Sequence, residues 1–374
     1  NGTLTVAGAV SLASTLSVGS NATFLADSTF KTNVSVSGNT NLGGTVTVGG
    51  AVSLASTLSV GGVANFADTV TIAGAVSLAS TLSVGGAVNL ASTATVVGAA
   101  TFKDDVSVSG NTNLGGTVTV GGAVSLASSL SVGGVANFAD TVTIAGAVSL
   151  ASTLSVGGAT NFATTVTVVG TGTFKSHVSV SGNLDVAGNV SVGGTVFATG
   201  GITFDGDISV SGDLNVGGTL TVAGATSLNS TLSVGGATNL LSTLTVAGAT
   251  SLNSTLSVGG ATNLLSTVTV AGNAGFLGSV RVSGATSVSN ANVGGTLTVA
   301  GAVSLASTLS VGGAANFAST VTVAGVGIFK DAVSVSGNLD VAGNVSVGGT
   351  IFATGGITFD GDISVSGDVN IGGT

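Results

Sequence analysis

The sequence predicts an all-β fold, a parallel β-solenoid running through residues 1–374 as a single repeat array. Three observations predict it. A six-residue repeat holds its frame from Thr3 for hundreds of residues. Within each hexad, apolar and polar residues alternate with period two. The composition is short aliphatics, Thr, Ser and 63 Gly, without Pro, Cys, Met, Trp or Tyr.

The first hexads read TLTVAG and AVSLAS, and TLSVGG, VANFAD and TVTIAG follow further on. Positions 2 and 4 are nearly always apolar, as in Leu4 and Val6 or Val10 and Leu12. Side chains alternate across a strand, so these two positions share one face. Thr and Val favour strands, and so many glycines would weaken helices. Positions 5 and 6 are small or polar and read as a corner. A hairpin meander would need Gly or Asn at positive φ in its two-residue turns. GG suits that turn, but the AS of AVSLAS does not. Stacked coils ask less of each corner, which favours the solenoid.

Hexads alternate in kind along the chain. One kind ends in Gly (TLTVAG, TLSVGG), and the other carries Leu or Phe at position 4 (AVSLAS, VANFAD). Residues 225–248 recur at 249–272, and 43–98 recur nearly unchanged at 115–170. Both shifts are even numbers of hexads. If like stacks on like, a twelve-residue coil of two hexads fits, and it is preferred here over an eighteen-residue coil of three. The five-residue ANVGG at 291–295 shifts the frame by one. The chain begins NGTLTV and stops at DVNIGGT, which reads as a segment of a longer polypeptide.

The small-x-[LVF]-[AG] pattern resembles the hexapeptide repeat of left-handed β-helices. The phrasing TLSVGGATNL…TLTVAGATSL resembles the low-complexity repeats of tail-fibre and virion-fibre proteins of phages and large viruses. That second resemblance implies an extracellular or virion-surface fibre, often trimeric, whose partner is another copy of itself. Hexapeptide acyltransferases imply catalysis, but their active-site His has no matching position here.

Composition excludes several classes. Five Lys and Arg against 14 Asp give a net charge of −9, which argues against nucleic acid. No run reaches the ~20 apolar residues that span a bilayer. No nucleophile–base constellation or thiolate metal site is present, so neither enzyme activity nor a cofactor is expected. The single His, His177 in KSHVSV, reads as a surface residue. Lys31, Lys103, Lys175 and Lys330 each follow a Phe. The first three are evenly spaced, twelve hexads from one to the next, and suggest either solvated corners or a periodic lateral contact.

The block TVFATGGITFDGDISVSGDLNVGG at 195–218 recurs with small changes at 350–373. It puts Phe197 and Phe352 at the outward position 3 and follows them with Asp205, Asp207, Asp360 and Asp362. An outward ring beside acidic corners suggests lateral docking. A local bulge turning the ring inward and a weak calcium site are the other readings. Asn1, Asn21, Asn33, Asn189, Asn229, Asn253 and Asn344 stand in Asn-x-Ser/Thr and are candidates for glycosylation. The expected function is a structural fibre shaft. Ice binding through outward Thr pairs such as Thr3/Thr5 and Thr69/Thr71, or an adhesin surface, are the alternatives.

Overall fold

A computed structural model describes residues 3–373, with only the backbone described at 288–290. Among the described residues it is all β, without a helix. Two compact units are present, Asn1–Gly188 and Asn189–Thr374. Together they make about 20 turns of parallel β-solenoid.

Nearly every strand is three residues long, covering positions 2 to 4 of one hexad. Position 3 points out, while positions 2 and 4 are buried in a repeated in–out–in pattern. Each strand pairs in parallel with the one three hexads on: Leu58 lies beside Val76, and Val60 beside Leu78. The coil therefore has three walls, which corrects the expectation of two hexads per coil. In the first unit, wall I starts at Leu4–Val6, wall II at Val10–Leu12 and wall III at Leu16–Val18. One chain supplies all three walls.

The corner chemistry explains the correction. A two-walled coil must reverse direction at each two-residue corner, which calls for positive φ. A three-walled coil turns a third of a circle at each, which Ala-Ser can do. Among the described residues no φ is positive, at glycine or elsewhere. Glycine is needed for closeness instead: a Cβ on Gly74 would lie 2.4 Å from the Ser56 carbonyl carbon one coil below.

Where hexads alternate in two kinds and three make a coil, unlike stacks on unlike, with exceptions such as Leu214/Val216 beside Leu232/Val234. Along wall II the pair Val46/Val48 is followed by Ala64/Phe66, Leu82/Val84, Ala100/Phe102 and Val118/Val120. In the second unit Thr226 stacks on Leu244, then Thr262. Duplication by an even number of hexads preserves this alternation, which is why even-numbered sequence repeats coexist with a coil of three hexads.

Small residues precede most of the inward rings for a packing reason, Ile202 before Phe204 and Ile357 before Phe359 being the exceptions. A Cβ on Gly172 would come within 3.1 Å of the Phe174 ring, so the ring lies back over position 2 of its own strand. Phe24 and Phe30 meet edge to face, centroids 5.9 Å apart. The ANVGG hexad leaves one coil a single residue short: Val268 pairs with Thr286, but Ala274 pairs with Ala291 and Val280 with Leu297. The full-length ladder resumes with Ala291 beside Leu309.

Candidate functional site

The corners are where the chain departs from simple laddering. The N–H of position 2 donates to the position 1 carbonyl of the next coil, as Val46 does to Val63 at 2.8 Å. The N–H of position 5 donates to the position 4 carbonyl of the previous coil, as Gly61 does to Leu42 at 2.8 Å. The position 1 N–H takes a side-chain acceptor where the residue one coil below is Asn or Asp. Asn33 Oδ1 accepts from Ala51 N–H at 2.9 Å, Asp105 Oδ1 from Ala123 N–H at 2.7 Å and Asp207 Oδ1 from Ala225 N–H at 2.8 Å. The same bond caps helix N-termini. The fullest case is Asp213, whose Oδ1 accepts Ser230 Oγ at 2.5 Å, Thr231 Oγ1 at 2.7 Å and Thr231 N–H at 3.1 Å. The two hydroxyl bonds, then the backbone one, hold its carboxyl below the ordinary value, while desolvation opposes them weakly.

This geometry gives several of the singled-out Asn and Asp a structural part. Asn189 Oδ1 accepts Asp207 N–H at 2.9 Å, and Asn344 Oδ1 accepts Asp362 N–H at 3.0 Å. Asn21 Oδ1 accepts Asn39 N–H at 3.2 Å. Asn21, Asn33, Asn189, Asn229, Asn253 and Asn344 are all exposed on corners. Asn1 lies outside the described residues.

Both phenylalanines of the repeated block point outward, Phe197 49% and Phe352 50% exposed. They do not share a face. In the second unit, wall a starts at Val190–Val192, wall b at Val196–Ala198 and wall c at Ile202–Phe204. Phe197 is on wall b, whereas Phe352 pairs with Ser334 on wall a. The separation of the block's two copies is not a whole number of coils. Nor do the acidic corners sit beside the rings. Asp205 and Asp207 occupy the corner between walls c and a, opposite wall b; Asp360 and Asp362 occupy the one between b and c, opposite wall a. Among the described residues no three metal-ligating side chains gather.

Phe30, Phe102, Phe174 and Phe329 fill the core, and the lysines after them stand exposed. His177 is exposed on the corner between walls II and III, and its carbonyl accepts Thr160 N–H at 2.9 Å. What sequence reasoning missed is Arg281. It points outward on wall a, in one column with Thr298, Asn316, Ser334 and Phe352. A shallow open trough runs along this wall, lined by Arg281, Thr298, Asn316 and flanking serines. Thr298 and Ser334, an odd number of hexads from Arg281, join this column only in the three-hexad register.

Among the described residues no helix is long and apolar enough to cross a membrane. No protein family, curated protein or solved structure matches the chain. The likeness to fibre repeats therefore stands on residue rhythm. The three-walled solenoid fits a structural, rigid repeat protein.

Proposed function

We propose that this chain is a shaft segment of an extracellular or virion fibre, a spacer rather than an enzyme. The observation that carries the reading is the hydrogen-bonded ladder over a largely aliphatic core, repeated coil upon coil within each unit. Such repeats transmit load between neighbours and cannot fold singly, so length is part of their stability. The columns of outward residues favour a spacer over an ice-binding face. On wall II, Thr29 and Thr47 are followed by Asn65 and Ser83 before Thr101 returns, so no regular Thr array forms. Negative-stain microscopy of the intact assembly tests the reading. Rods support it, and isolated globules overturn it.

One observation favours an adhesin as second reading: the cation of Arg281 and the ring of Phe352 share one trough-bearing wall. An acidic glycan could meet both. A glycan array that shows binding lost in Arg281→Ala would favour it over the spacer.

A further inference from the structure

We infer that the corner between walls I and II of the first unit is an apolar self-association edge, on which a second copy of this chain, running the opposite way, seats its aliphatic side chains. The inference goes beyond the fibre reading and rests on the coil register alone.

Position 5 of this corner is small at most levels and aliphatic at three. Leu25, Val97 and Val169 stand there, 59%, 65% and 60% exposed, each four coils from the next. Gly43, Gly61 and Ala79 fill the levels between the first two, and Gly115, Gly133 and Ala151 those between the next two. The column stacks directly: a Cβ on Gly61 would lie 2.8 Å from the Gly43 carbonyl oxygen, and one on Gly115 2.7 Å from that of Val97. Midway between the aliphatic levels the corner reads Gly61-Gly62-Val63 and Gly133-Gly134-Val135, with both valines part-exposed. Projecting apolar side chains and low apolar levels thus alternate every second coil. Single exposed aliphatics are ordinary on a protein surface, but three at one corner position on one period form a pattern that a partner can match.

Charge leaves this edge open. The lysines and most aspartates of the unit stand on the corner between walls II and III. Across residues 3–173, the corner between walls I and II and the outward columns that flank it carry one charge, Asp27, whose Oδ1 accepts Thr45 N–H at 2.8 Å. Two chains of net charge −9 therefore meet here with little repulsion. The occupant follows from the period. A face that repeats every four coils, about 19 Å at about 4.8 Å per coil, is met level for level by a solenoid of the same period, and this chain is one. A second copy turned end for end about an axis across the Ala79 level keeps position 5 facing position 5. Leu25 then lies over its Gly133, Val97 over its Gly61 and Gly43 over its Gly115, and the twofold repeats each contact. Each aliphatic side chain meets a level bare of side chain and flanked by a valine, and Asp27 faces an uncharged level. Four such seats cover less than the ~1,200 Å² of a stable pair, so the association is weak.

Sedimentation velocity on the full chain tests this at about 0.05 M and about 0.5 M sodium sulfate. Self-association is expected to strengthen at the higher concentration, where the net charge is screened and apolar burial is favoured. The double variant Leu25→Ser with Val97→Ser should weaken it about tenfold or more. Its thermal melt should match the parent's, since both side chains are exposed. Val169→Ser lies outside the register and should leave association unchanged. A parent chain that stays monomeric at high salt, a double variant that associates as well as the parent, or a Val169→Ser chain that no longer associates would each overturn the inference. Rods in the microscope test the fibre reading separately and decide nothing about this edge.

Discussion

Position 1 of the hexad decides how well a corner is held. Its N–H donates to an Asn or Asp one coil below, as Ala51 does to Asn33, or to an Asp just before it, as Thr69 does to Asp68. Asn33→Ala should therefore cost about 0.5–2 kcal/mol by the analogy with helix caps, read as a lower denaturation midpoint. Asp213 adds a pH dependence. Its folded pKa lies below the unfolded one, so its stabilisation is complete above the unfolded value of about 3.9 and is lost as pH falls through the folded value. The stability gap between parent and Asp213→Asn should accordingly close on acidification. A gap that widened at low pH would contradict the bonding described. Inside the core, Thr238 is buried beside Leu220 and Leu256, and its hydroxyl has no partner among the described residues. Burying an unpaired hydroxyl is costly, so Thr238→Val should raise stability by roughly 1–3 kcal/mol in a chemical melt.

At the level of strand and coil, alternation of hexad kinds is the packing rule. Deleting 123–134, two hexads, seats VANFAD on the unlike Val106–Val108 strand and keeps the alternation. Deleting 123–140, three hexads and one full coil, seats Val142–Ile144 there, like upon like. The longer deletion preserves every wall yet should lose about 1–3 kcal/mol more, because gaps and overcrowding return along one coil. Thermal melts of the two deletions decide it. Phe138→Ala should be worse than either local change, at about 3–5 kcal/mol, since it empties a buried site on wall II. Strand, corner and inward face were legible in Leu4-x-Val6 and Val10-x-Leu12, because period two is written directly in the residues. The number of walls was not. Even-numbered duplications suggested like on like, whereas an even shift is also what keeps unlike on unlike when three hexads close a coil. The same misreading split the outward column of Arg281, since Thr298 and Ser334 lie an odd number of hexads from it and join it only when three hexads close a coil.

Over the whole molecule, repetition takes the place of a globular core. Inward positions are sealed by the coils on either side, as Val60 and Leu78 are. Function is read from what this repetition exposes: walls, corners and their charges. All of it depends on which residues are neighbours along the axis. The chain has no Cys, so paired labels can be placed cleanly. Pyrene attached to Ser59→Cys with Ser77→Cys reports positions three hexads apart, which face outward side by side on wall I. Pyrene on Ser59→Cys with Thr71→Cys reports positions two hexads apart, which lie on different walls. Three-walled packing predicts strong excimer emission from the first pair and little from the second; excimer from the second pair alone would show two walls and contradict it.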